Sequence, residues 1–115
     1  MSAPTRTMSY PVRLRSVANM REHWAAKAKR AKAHRIIGRN AGKGWKLLPC
    51  RVTLTRIAPR ALDGDNLQSA FKAMRDGVAD ALGVDDADPR VEWRYAQERG
   101  RVKEYAVTVK IEGTA

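Results

Sequence analysis

Four aspartates in the second half of the chain offer the chemistry that residue type and spacing allow. Asp63 and Asp65 stand one residue apart in "LDGDN", and Asp85 and Asp86 are adjacent in "GVDDADP". Clustered carboxylates raise one another's proton affinity, so holding several together calls for a cation, and their hard oxygen donors suit Mg2+. At a phosphodiester such a centre would clamp the phosphate and lower the pKa of an attacking water. Structural roles account for the same residues. Asp65 with Gln68 reads as a capping box opening a helix, Asp63 before Gly64 as a turn residue, and residues 85–88 as a solvated acidic loop. Spacing alone leaves both readings open.

The elements that must position these carboxylates follow from hydrophobic period. Residues 65–82 form the clearest helix. At 100° per residue, Leu67, Phe71, Met74, Val78 and Leu82 make one apolar stripe, while Asp65, Lys72 and Asp76 fall together on the opposite side. Gly83 is placed to end it. Before it, "CRVTLTRI" alternates with Val52 and Leu54 on one face and Thr53, Thr55 and Ile57 on the other, a strand ended by Pro59. After it, "RVEWRYAQ" alternates Val91, Trp93 and Tyr95 with charged neighbours, "ERGR" supplies a turn, and "VKEYAVTVKI" is expected to return as its hairpin partner. Upstream, residues 1–8 read as a loose tail and "SYPVRLRSV" as a short strand held to an edge or a strand start by Pro11. Residues 19–36 read as a helix capped by Asn19 with Glu22. Met20, Trp24, Ala28 and Ala31 are its inner stripe, Arg21, Lys27, Lys29, Arg30, Lys32 and Arg35 its basic surface, and Gly38 its end. The expectation is one α+β domain over residues 1–115: a mixed sheet of about four strands with a terminal β-hairpin and two main helices packed on it, in the order β-α-β-α-β-β.

An Asp85 or Asp86 ligand must meet Asp63 and Asp65 although a helix of about 18 residues, roughly 27 Å long, separates them. Three solutions present themselves: an early helix break at Gly77, a loop that folds back toward the site, or a second subunit.

Charge narrows the partner. The chain has 23 Lys and Arg against 12 Asp and Glu, a net charge of +11. Residues 1–60 hold 15 of the basic residues and one acid, Glu22, whereas residues 61–115 hold 8 basic and 11 acidic residues. So lopsided a basic excess is the footprint of a protein that meets a polyanion, since each cation that neutralises a phosphate releases a condensed counterion. "GRNAGKGWK" is no phosphate-binding P-loop: it is one residue short, Gly44 stands where Ser or Thr is required, and a helix precedes it where a strand should. It reads as a basic loop that touches nucleic-acid backbone. Apolar runs are too short to span a bilayer, no signal-peptide pattern opens the chain, and one cysteine, Cys50, permits no internal disulfide. These features predict a cytoplasmic protein that does not meet a membrane.

The run "DGDNLQSAFKAMRDGVADALGVDD", followed by an alternating strand, resembles the RusA-like Holliday-junction resolvases, small magnesium-dependent endonucleases often found in phages. The strongest similarity covers residues 63–91. Weaker similarity covers most of the chain, including Ser16, Asn19 and Trp24 around a basic helix. The resemblance implies a homodimer that cuts branched DNA, a Mg2+ site (Mn2+ as substitute) made by Asp63, Asp65 and Asp86, and a catalytic lysine. The family's lysine position holds Ser69 here, and Lys72 follows one turn later as the candidate. The family's arginine run before the aspartates is reduced to Arg56 and Arg60. Lys27, Arg30, Lys43, Lys46 and Arg60 are the expected DNA contacts. Two other readings stay open: a non-catalytic basic nucleic-acid-binding protein whose aspartates are caps and turns, and a nuclease acting on other branched DNA.

Overall fold

The computed structural model describes residues 3–16 and 23–114. Its elements are β1 (Thr5–Tyr10), α1 (Trp24–Gly42), β2 (Cys50–Ala58), α2 (Gly64–Ala70), α3 (Lys72–Leu82), β3 (Val91–Arg99) and β4 (Ala106–Gly113). The four strands form one mixed sheet in the order β1-β4-β2-β3. The α+β class and the element order are those the sequence predicts. No helix among the described residues is long and apolar enough to cross a membrane.

Strand direction explains the sheet order. β2 and β3 pair in parallel, from Cys50 with Val91 to Ala58 with Arg99. β4 runs antiparallel to both β1 and β2, pairing Met8 with Val109 and Leu54 with Val109. The expected terminal hairpin is therefore corrected: β3 and β4 do not touch, because β2 lies between them. The parallel β2–α–β3 crossover occupies the inner edge of β3, and β4 fills the slot between β1 and β2. The connecting turn passes over the end of β2, where Gly100 N–H donates to Ala58 O at 2.9 Å.

The expected loose tail is also corrected, because β1 already begins at Thr5. Arg6, Met8 and Tyr10 are half-buried while Thr5, Thr7 and Ser9 are exposed, the alternation of an edge strand ended by Pro11. Buried Val52, Leu54, Val107, Val109 and Ile111 face the helices and meet Leu67, Phe71, Met74 and Val78 there. The helical stripe thus lies where its period put it. The one expected helix is interrupted only at Phe71, whose N–H is shared between Leu67 O and Gln68 O at 3.2 Å each. It continues through Gly77 without a break and stops at Gly83, with φ of 72°.

α1 departs most from expectation. Asn19, Met20, Arg21 and Glu22 lie outside the described residues, and the cap is His23, whose Nδ1 accepts from Ala25 N–H at 3.2 Å. Trp24, Ala28 and Ala31 are exposed, not core-facing. The buried positions are His34, Gly38, Ala41 and Gly42. Gly38 does not end the helix and "GRNAG" is not a loop. Instead Gly38 and Gly77 let α1 and α3 cross with their backbones nearly touching: a Cβ on Gly38 would lie 2.1 Å from Met74 O, and one on Gly77 would lie 2.0 Å from Arg35 O. A glycine that reads as punctuation in sequence serves here as a contact surface.

Candidate active site and nucleic-acid surface

α2 starts just beyond the carboxyl end of β2. The linker is pinned by Gln97 of β3, whose Oε1 accepts from Leu62 N–H and whose Nε2 donates to Leu62 O, both at 2.8 Å. Asp63, not Asp65, is the helix cap: its Oδ1 accepts from Asn66 N–H at 2.9 Å and its Oδ2 from Asn66 Nδ2 at 3.0 Å. The expected Asp65–Gln68 capping box is thereby corrected. A short polar side chain at the extended residue before the first turn wins the cap. Asp65 sits in the first turn, exposed. Of all aspartates among the described residues it alone has no hydrogen-bond or ion-pair partner; the other six are engaged.

One helix turn or two further on, a second group assembles. Lys72 Nζ lies 2.9 Å from Asp76 Oδ1 and 3.9 Å from Asp86 Oδ2. Arg75 Nη2 donates to Asp86 O at 2.9 Å and Nη1 to Tyr95 OH at 2.9 Å, while its guanidinium stacks 4.6 Å over Trp93. Trp93 Nε1 also donates to Asp86 O at 2.9 Å. These bonds fold the loop after Gly83 back against the first turn of α3. The loop brings Asp86 to Lys72 rather than to the aspartate pair. The hydrogen bond to Asp76 raises the pKa of Lys72 and keeps it a cation. Its ammonium therefore turns toward Asp76, one turn C-terminal, and not toward Asp65, whose backbone lies about 10 Å back along the helix. Among the described residues, no three His, Cys, Asp or Glu side chains come together as a metal-holding group. The donor chemistry of Asp63 and Asp65 fits Mg2+: both present carboxylate oxygens at one helix start, and those of Asp65 are uncommitted.

The expected DNA contacts do not form one patch. Lys27 and Arg30 of α1 face Ser69 and Lys72 across a cleft of about 390 Å3 floored by Ala31, Ala70 and Ala73. Buried His34 also lines it, with its pKa lowered by burial and then by Arg30. Lys43 and Lys46 are exposed beyond the other end of α1, about 24 Å from Lys27. Arg60 is exposed after β2, and its carbonyl accepts from Arg56 Nη1 at 2.6 Å. Sequence reasoning missed Arg75, Asp76 and Tyr95 as the frame around Lys72 and Asp86. The Lys72 to Asp76 spacing of one helix turn was a visible signal for part of it.

No family model matches the chain. It is similar to an uncharacterized protein of Xylella fastidiosa (strain Temecula1 / ATCC 700964), 38% identical over 81 residues, covering 59% of this chain and 51% of that protein. The chain thus spans about half the length of that relative.

Proposed function

We propose that this chain is a Mg2+-dependent endonuclease, acting as a homodimer, that resolves four-way DNA junctions. The observation that carries the reading is Asp65: in a chain whose other described aspartates all have partners, the unpartnered one stands beside Asp63 at the start of α2, whose later residues Ser69 and Ala70 line the cleft shared with Lys27 and Arg30. Asp63 and Asp65 would hold the ion, and Asp86 would join them as the third carboxylate on leaving Lys72 and Arg75, which hold it in this structure. When bound, Mg2+ supplies Lewis-acid polarisation of the phosphate and a more acidic water. Asp63 also anchors the first turn of α2, which fixes the position of Asp65. Lys27 and Arg30 attract the DNA strand along the cleft, and Lys72, held cationic by Asp76, opposes charge that grows on the phosphoryl oxygens. A two-fold dimer would present two such sites to a substrate with matching symmetry.

The test is Asp65→Asn. With labelled junction, flap and linear duplex at matched salt, the wild type is expected to nick the junction in paired strands when Mg2+ or Mn2+ is added. The variant should bind the junction with similar salt sensitivity and not cut. Equal cutting by the variant would remove Asp65 from the site. One observation favours the second reading, a non-catalytic DNA-binding protein: the Asp63 carboxylate is already satisfied as a cap. That reading predicts junction binding with no nicking by the wild type under any divalent cation. Preferred cutting of the flap would instead support a nuclease for other branched DNA.

A further inference from the structure

The carboxyl edge of the sheet carries a group of arginines that the proposed chemistry does not use. Arg56 occupies the core-facing row of β2, after Cys50, Val52 and Leu54, and is only 8% exposed. A buried charge ordinarily has a carboxylate partner, since desolvation without one is costly. Arg56 has none: Nε donates to Leu14 O at 2.9 Å and Nη1 to Arg60 O at 2.6 Å, and burial lowers its pKa. Both bonds go to backbone, so they orient the guanidinium without neutralising it.

Three more arginines gather around it. Arg13 follows β1 and lies 4.4 Å over the Tyr105 ring, near enough for its charge to act on Arg56. Arg60 follows β2, and Arg99 ends β3. They line two adjoining hollows of about 340 and 370 Å3 that share Arg56, Ala58, Pro59 and Arg60. None of the four has an ion pair among the described residues, and the one acid lining the hollows, Glu98, has no partner either. Four cations against one carboxylate, with one cation locked in the core, make a site that lacks its anion. Size and donor geometry suit a phosphodiester, because planar guanidinium forks match phosphate oxygens in pairs.

We infer that Arg13, Arg56, Arg60 and Arg99, with Tyr105, form a cradle for a DNA backbone phosphate flanking the one at Asp63 and Asp65. The inference rests on the reading that a DNA strand passes these aspartates, and it names what fixes the strand's register. Arg60 is three residues before Asp63, and the Gln97 clamp on Leu62 ties the cradle's β3 wall to the start of α2. A phosphate seated among the arginines is therefore placed relative to Asp65 by two short, rigid connections.

Arg56 is structural as well as cationic, so the test uses exposed Arg13 and Arg99. Junction and duplex binding are measured in EDTA, where no cutting intervenes, for wild type, Arg13→Gln/Arg99→Gln and a charge-matched control on the open sheet face, Arg94→Gln/Lys110→Gln. The cradle variant is expected to lose about tenfold in affinity, with the slope of log affinity against log salt reduced by about 1 to 2. The control should change less than about twofold, because its residues touch no phosphate. Equal losses in both variants, or none in the cradle variant, would overturn the cradle. Inorganic phosphate at matched ionic strength is the second probe: weak competition abolished in the cradle variant supports a phosphodiester seat, whereas tight phosphate binding with unchanged DNA affinity assigns it to a free anion and overturns the proposal. A wild type that binds but never cuts leaves the cradle standing and removes only the nuclease; a wild type that binds no DNA removes both.

Discussion

Gly77→Ala tests the contact on which the geometry of the cleft depends. The added methyl would sit 2.0 Å from Arg35 O and 3.0 Å from Arg39 N, both backbone atoms of α1. An ordinary carbon–oxygen contact is more than 1 Å longer, and no side-chain rotation can relieve the overlap. α1 and α3 must therefore move apart, which loosens the packing of Met74 and Val78. Overpacking of this kind costs about 1–3 kcal/mol, more where both walls are backbone. The better helix propensity of alanine returns about 1 kcal/mol. A net loss of about 1–2 kcal/mol is expected, equivalent to a fall in Tm of roughly 4–10 °C for a domain of this size. Thermal and urea melts followed by circular dichroism give the number. Gly64→Ala is the control, since nothing lies within 4 Å of the place its added methyl would take, and it should melt within about 2 °C of the wild type. Gly38→Ala enters the same contact from the other side, 2.1 Å from Met74 O, so the double variant should lose less than the sum of the two. If Gly77→Ala melted at or above the wild type, the helices would not cross as closely as described and the cleft between Lys27 and Lys72 would have another shape.

Three further outcomes follow from the same geometry. Asp80 is held to a pKa of about 2 by its hydrogen bond to Arg35, aided by Arg39, so it contributes stability above its unfolded value near 3.8 that fades as pH falls from about 4 to 2. Solvent screening of this partly exposed group limits the effect to about 1 kcal/mol, and urea melts of the wild type and Asp80→Asn should converge by about that amount between pH 5 and pH 2; parallel curves would refute the coupling. Asp63→Ala should cost about 1 kcal/mol through loss of the cap, whereas Asp63→Asn should keep most of the stability and lose the metal-dependent nicking, which separates the two roles of that residue by comparing melts with cleavage. Lys72→Ala removes an exposed pair worth about 0.3–0.5 kcal/mol, so its Tm should hardly move, while single-turnover cleavage should fall about 100-fold; a fall in Tm without a change in cleavage would reassign Lys72 to structure.

Much of the architecture was legible because period and punctuation act locally. Val52 and Leu54 alternate in the strand and are both buried; Leu67, Phe71, Met74 and Val78 recur at helical spacing and are all buried; Gly83 ends the helix with positive φ. What escaped depends on pairing between distant segments. Nothing within "VKEYAVTVKI" tells whether β4 will lie beside β3 or between β1 and β2, since its alternation satisfies either neighbour. The polar residues of β1 read as tail because an edge strand with one solvated face carries few apolar side chains. Gly38 and Gly77 are more than one element apart, and only their meeting gives either a purpose. Asp63 and Asp65 were singled out by spacing, but which of them caps the helix was not decided by residue type, because both are good caps. Arg56 could have been flagged: it continues the row of Val52 and Leu54, and a charge at a core-facing position asks for a partner or a ligand.

The uneven distribution of charge along the chain changes meaning once the halves are packed. Arg35 and Arg39 of the basic half neutralise Asp80, and Arg51 pairs with Glu92 and Glu112, so much of the acidity of the second half is spent internally. Lys72 and Arg75 absorb Asp86 in the same way. Two carboxylates are left without a partner among the described residues, Asp65 and Glu98, and both are at the carboxyl ends of β2 or β3. Arg13, Arg56, Arg60 and Arg99, none of them paired with a carboxylate among the described residues, are at that same edge. Net charge alone would attract a polyanion to any face of so basic a protein. Pairing removes part of that attraction, and Lys27, Lys29, Lys32, Lys43 and Lys46 stay without carboxylates among the described residues on and beyond α1; what sets this edge apart is that a phosphate backbone and a divalent cation would each find the opposite charge there within a few residues of each other. Neutralising the edge should therefore reduce DNA affinity more than removing the same number of charges from the open sheet face, which is the comparison the two double variants make.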